Sequence, residues 1–210
     1  MRKARDASGG RFLKRMMRKR LTILLLLLCA CVGPANRLFA QEKERAAVAP
    51  EATSVIKLKG LDGKVYDTSS MRGEVLVVSF GATWCTPCTW ELVAIEELKV
   101  EYAGKPVKFL WVSIEDEKQT SDNLLRHYAK QRRLTIPVLR DPKATAFSQF
   151  SSSTRIPVVV FFDQEGRHVA PVHRGMSPEI SEYKKLVRSR VDALLKTRET
   201  EKAGAKAVAR

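Results

Sequence analysis

The sequence predicts an α/β domain, a central mixed β-sheet flanked by helices, with a helical segment inserted after a strand–helix–strand unit. Three observations lead there. The run Val75, Leu76, Val77, Val78, Ser79, Phe80 is almost continuously apolar, the pattern of a strand covered on both faces. It is followed by Leu92, Ile95, Leu98 and Tyr102 at near-helical spacing, and then by a second apolar run from Val107 to Ile114. Further on, Val158 to Phe162 turns through Asp163, Gln164, Glu165 and Gly166 into Arg167 to Val172, an antiparallel hairpin.

The N-terminus has a basic segment through Arg20, an apolar core from Leu21 to Val32, and a more polar stretch ending Leu38, Phe39, Ala40. This is the pattern of a secretory leader, with cleavage expected after Ala40. The 12 residues from Leu21 to Val32 fall short of the roughly 20 that a transmembrane helix needs. Leu28, Cys29, Ala30, Cys31 resembles a lipobox, so acylation of Cys31 is the competing expectation, although Cys29 departs from the usual pattern. Residues 41–54, rich in Ala, Glu and Lys, are expected to be a flexible tether, residues 55–197 the folded domain, and residues 198–210 a polar, frayed tail.

Within the domain, Val55 to Leu58 and Lys64 to Tyr66 flank Gly60, Leu61, Asp62, Gly63 as a short hairpin. An amphipathic helix is expected around Ser121 to Gln131, a strand within Leu134 to Asp141, and a short helix near Ala144 to Phe150. Ser177 and Pro178 are placed to open a last helix carrying Ile180, Tyr183, Val187, Val191 and Leu194 on one face. His168 and His173 fall on opposite faces of the last hairpin and are expected at the surface.

The formal net charge of +15 comes largely from the N-terminus. Residues 1–40 hold 10 of the 38 Lys and Arg and one of the 23 Asp and Glu, which leaves the remainder at +6. Basic residues there are spread without interleaved aromatics, so no nucleic-acid partner is expected. Beyond the leader the chain has two cysteines, Cys85 and Cys88, too few for a disulfide-stapled scaffold.

Those two form a CxxC pair with Thr86 and Pro87 between them, at the exit of the first buried strand and the entrance of its helix. Backbone N–H groups in a helix's first turn lack intrahelical partners and the macrodipole is positive, which favours a thiolate. Pro87 forfeits no needed N–H there. The placement points to thiol–disulfide exchange, with Cys85 as nucleophile and Cys88, one turn further in, as the more buried resolving thiol. A zinc site would need further ligands, and the three histidines, His127, His168 and His173, show no ligand spacing, so no metal is expected.

The order of these elements resembles the thioredoxin superfamily, and within it the TlpA/ResA branch. Phe80, Gly81, Ala82, Thr83, Trp84, Cys85 is similar to that branch's F-W-A-T-W-C, with Gly81 in place of the first tryptophan. Glu91 matches its acidic residue three positions after the second cysteine. Pro137 to Asp141 is similar to its P-v-l-x-D segment, and Pro157 to Gly166 to the P-x-x-x-x-x-D-x-x-G stretch that holds a cis-proline. The resemblance implies a thioredoxin-like fold from about Val55 to Leu195, a cis bond at Ile156–Pro157, and an Ile156 backbone free to pair with an extended partner segment. Val93 stands where relatives often carry a helix-kinking proline, and Ser79 where thioredoxin has a buried aspartate. Glu91 is therefore the candidate proton acceptor. Trp84 and Trp90 are expected to shield the sulfurs, Trp84 at the partner-binding surface.

The function implied is a thiol–disulfide oxidoreductase acting outside the cytoplasm on disulfide-bearing proteins, more as a reductase than an oxidase. It would need no cofactor beyond its own sulfur and would be recharged by an upstream thiol donor, such as a membrane electron carrier. Two alternatives are a peroxiredoxin-like peroxidase using Cys85, which would want a threonine where Ala82 stands, and a copper-delivering redoxin using both thiolates with His127 or His173.

Overall fold

The computed structural model describes residues 50–51 and 54–208. The expected leader, the lipobox-like Cys31 and most of the tether lie outside the described residues. Among the described residues eight strands form one sheet: β1 (Pro50–Glu51), β2 (Lys57–Gly60), β3 (Val65–Asp67), β4 (Val75–Gly81), β5 (Val107–Ser113), β6 (Val138–Arg140), β7 (Val158–Phe162) and β8 (His168–Arg174). Their spatial order is β1-β8-β7-β4-β5-β6-β2-β3. The helices are α1 (Thr86–Glu101), α2 (Asp122–Gln131) and α3 (Ile180–Val208), with a 3-10 turn at Phe147–Gln149.

β4 is central, parallel to β5 and antiparallel to β7. All seven of its residues are buried, as its apolar run requires. Alternation along the strands divides the core. Leu76, Val78 and Phe80 join Leu110, Val112, Val158, Val160 and Phe162 on one face, covered by Ile56, Phe147 and Phe150. The other face carries Val77, Ser79 and Gly81 beside Phe109, Trp111 and Ser113 in register. Here α1 packs through Cys88, Glu91, Leu92, Ile95 and Leu98.

α3 lies against α1, burying Tyr183, Val187, Val191 and Leu194 at helical spacing. The Tyr102 hydroxyl donates to Asp192 Oδ1 at 2.8 Å, while Lys184 and Arg188 meet Glu97 and Glu101. α2 is capped by Ser121, whose Oγ accepts from Leu124 N, and it buries only Leu125 and Tyr128. The Tyr128 ring stacks on Trp111 with centroids 5.7 Å apart. The β7–β8 turn needs Gly166: its φ is +79° and a Cβ there would lie 2.5 Å from the Thr68 carbonyl oxygen.

Several boundaries differ from the sequence-based expectation. Pro50–Glu51, within the expected tether, pair with Val169 and His168 of β8. The last helix begins at Ile180, after a turn in which Ser177 Oγ accepts from Glu179 N, and runs on past Arg198 to Val208. His168 is not a surface residue: it is 3% exposed and packs on Phe150 and Phe162 at 5.0 and 5.8 Å. The segment carrying Phe150 folds over that end of the hairpin, and nothing local to β8 announces it. Among the described residues no helix is long and apolar enough to cross a membrane.

Candidate redox site

β4 delivers the chain to Gly81, and a three-residue turn brings Cys85 to the head of α1. Cys85 is the N-cap, with φ −86° and ψ 103°, and its Sγ accepts from Cys88 N at 3.2 Å. A cap position of this kind normally takes an oxygen; here a sulfur receives the unpartnered N–H. Cys85 and Cys88 are joined in a disulfide. Cys85 is buried just below the surface and Cys88 is fully buried.

The turn ahead of the cysteines is pinned by Glu115, a residue that no sequence motif singles out. Its carboxylate accepts from Thr83 N at 2.9 Å and Thr83 Oγ1 at 2.6 Å, and also from Ser113 and Thr120. Ser113 and Thr120 lie within five residues of it, but Thr83 is 32 residues away, so no local pattern marks the link to the cysteine turn.

Ile156 closes the site from β7's approach. The Ile156–Pro157 peptide bond is cis, and the Ile156 carbonyl oxygen lies 3.9 Å from Cys85 Sγ. Ile156 packs on Ala82, Cys85 and Cys88. Trp84 stands 70% exposed beside the disulfide and Trp90 47% exposed on α1. Both indoles thus present exposed surface. His127 points outward from α2, and His173 is half-buried on β8 with its ring against Tyr183.

Glu91 is fully buried beneath α1. Ser79 Oγ donates to Oε2 at 2.5 Å and the Tyr183 hydroxyl to Oε1 at 2.8 Å. Burial pushes its carboxyl up to about 7, against the two hydrogen bonds, which favour the charged form. A carboxyl poised there exchanges a proton near neutral pH. Tyr183, 92 residues away in sequence, is visible in the sequence only as a member of α3's apolar stripe.

Residues 44–187 match the Redoxin family. The chain belongs to that family. Among curated proteins, this redoxin is 27% identical to the thiol-disulfide oxidoreductase ResA of Bacillus cereus over 151 residues, 71% of this chain and 84% of the relative. It is 32% identical to the thioredoxin-like protein YneN of Bacillus subtilis over 121 residues, 58% of this chain and 70% of the relative. A crystal structure of a thioredoxin-family thiol:disulfide interchange protein from Chlorobium tepidum superposes with a TM-score of 0.55 at 22% identity, covering 67% of this chain and 96% of that one. The redoxin therefore has a thioredoxin-like fold of the TlpA/ResA kind, and it carries a Cys85–Cys88 disulfide. It is a thiol–disulfide oxidoreductase.

Proposed function

We propose that the protein works outside the cytoplasm, reducing disulfides in partner proteins through a Cys85/Cys88 cycle. The observation that carries this is the asymmetry of the two sulfurs. Cys85 caps the helix beside Ile156 and the exposed Trp84, whereas Cys88 lies fully buried behind it. In the reduced protein the Cys85 thiolate attacks a partner disulfide, forming a mixed disulfide and releasing one partner thiolate. Cys88 then gives up its proton to Glu91, attacks Cys85 Sγ, closes the internal disulfide and releases the second partner thiolate. An upstream dithiol restores the pair.

Recognition falls to the backbone of Ile156. Among the described residues, neither its N–H nor its C=O is spent on a backbone hydrogen bond. An extended partner segment can pair there as an added strand, with Trp84 supplying apolar contact. Cys88→Ser should accumulate mixed disulfides with partner proteins and Cys85→Ser should not, as read on non-reducing gels. Equal trapping by both variants, or by neither, would refute the assigned roles.

The extracytoplasmic placement is supported by the leader pattern of residues 1–40, the protein being either released after cleavage or tethered to the membrane through a lipidated Cys31. Intact-mass measurement of membrane and soluble fractions should find a chain beginning at Gln41. A diacyl or triacyl mass on Cys31 would instead establish the lipoprotein, and soluble full-length protein in the cytoplasm would overturn the placement.

A further inference from the structure

The face of β4 that meets Cys88 holds a polar atom with nothing to bind. Trp111, on β5, is completely buried, and its indole Nε1–H has no hydrogen-bond partner. A buried N–H left unpaired costs roughly 1–3 kcal/mol, so it calls for an explanation. Its surroundings supply one. The point where a Cβ would sit on Gly81 is 2.8 Å from Trp111 Nε1 and 3.2 Å from Cys88 Sγ. The two distances place the indole N–H and the sulfur within about 6 Å of each other around the same point, and any side chain at 81 would fill it. Tyr128 stacks on the indole from α2 and holds the ring in place.

In the disulfide state Cys88 Sγ is a weak acceptor. Reduction breaks the Cys85–Cys88 bond with two electrons from a dithiol donor, which is itself oxidised to a disulfide. Once Cys88 loses its proton, its sulfur becomes a buried anion that needs a donor. Among the described residues no hydrogen bond reaches Cys88 Sγ now. The titratable groups around this spot are Cys85, whose sulfur is bonded to Cys88 in the oxidised protein, Glu91 on α1, Tyr183 on α3 and Tyr128 on α2. Glu91 and Tyr183 bond to one another, and Tyr128 faces Thr89.

We propose that the Trp111 indole N–H is the donor that Cys88 Sγ meets once the disulfide opens, weakly as the thiol of the reduced protein and strongly as the thiolate of the resolving step, with Gly81 as the opening that lets them meet. Trp111 is thus a catalytic residue of the resolving step. The N–H is orphaned in the disulfide and satisfied by the freed Cys88 sulfur, so it biases the couple toward the reduced form. This rests on Cys85 and Cys88 cycling as described above.

The test uses the full chain with ¹⁵N-labelled tryptophan, compared before and after dithiothreitol. Trp111→Phe identifies the Trp111 indole resonance by its disappearance. That proton should move downfield on reduction, and the move should follow the titration of Cys88. Trp111→Phe should also shift the equilibrium with the dithiothreitol couple about tenfold toward the disulfide, equivalent to about 30 mV. An indole resonance unmoved while the disulfide demonstrably opens would overturn the proposal, as would an unchanged equilibrium in the variant. Should that variant not fold, the unsubstituted chain still decides, because Trp84→Phe and Trp90→Phe assign the other two indoles. A disulfide that dithiothreitol cannot open would bring down both this inference and the redox cycle it rests on.

Discussion

Replacing Glu91 by glutamine should stabilise the oxidised protein by about 3 kcal/mol at pH 8 and change it little at pH 4. Burial raises this carboxyl from an ordinary 4.5 to about 7, and moving a pKa by one between the folded and unfolded chain is worth about 1.36 kcal/mol. Between those two values the folded protein holds a proton that the unfolded chain has lost, so stability falls as pH rises through the window and is flat above it. Below 4.5 the group is protonated in both states and the charge has no effect. Glutamine preserves the geometry: its carbonyl can still accept from Tyr183, and its amide can donate to Ser79 Oγ, which need only rotate its hydroxyl. Urea denaturation of both proteins at steps from pH 4 to 8 reads the difference directly. A gap between variant and parent that stays constant across that range would refute the burial argument. The same substitution should slow resolution of the mixed disulfide, because the residue would no longer take up the Cys88 proton.

Tyr183→Phe removes one of the two hydrogen bonds that favour the charged carboxylate, so the Glu91 titration should move further above 7. Carboxyl ¹³C shifts would follow it, and a midpoint that stayed or fell would contradict the assignment. Glu115→Ala strips the acceptor from Thr83 N and Oγ1 and from Ser113 and Thr120. It should cost about 2 kcal/mol or more, given that buried donors are left unsatisfied, and should change the alkylation rate of Cys85 in the reduced protein. Unaltered Cys85 reactivity would mean that the turn keeps its shape without Glu115.

The central strand, the CxxC helix and the last hairpin were legible because each follows a single period: continuous for β4, helical for α1, turn-bounded for β7 and β8. Glu91 also left a trace, since it falls among Cys88, Leu92 and Ile95 on the stripe that α1 buries. Contacts that close the site across the sheet left none. Ser79 reads as a polar interruption of an apolar strand, and its partner becomes clear only when Glu91 is placed above it. Glu115 follows the end of β5, where a glutamate ordinarily meets solvent; its tie to Thr83, 32 residues away, is the contact that local sequence does not mark. His168 was misplaced for the same reason, because Phe150 reaches it from another segment. Pro50–Glu51 became a strand through pairing with β8, a tertiary partner that local composition does not encode.

The two sulfurs are held by two different sets of supports. Cys85 depends on the Thr83 turn, tied down by Glu115, and on Ile156 beside it. Cys88 lies on the other side, its sulfur close to Gly81, and shares the buried face of α1 with Glu91, which is anchored to β4 through Ser79 and to α3 through Tyr183. Because the sets share no hydrogen bond, they should separate kinetically. In the proposed cycle, loosening Glu115 should change the rate at which mixed disulfides form. Changing Trp111, Glu91 or Tyr183 should instead change how long those mixed disulfides last. Because Glu91 is bonded to Tyr183, the proposed cycle makes release sensitive to α3, whereas Trp84 and Ile156, the proposed partner contacts, lie elsewhere in the chain.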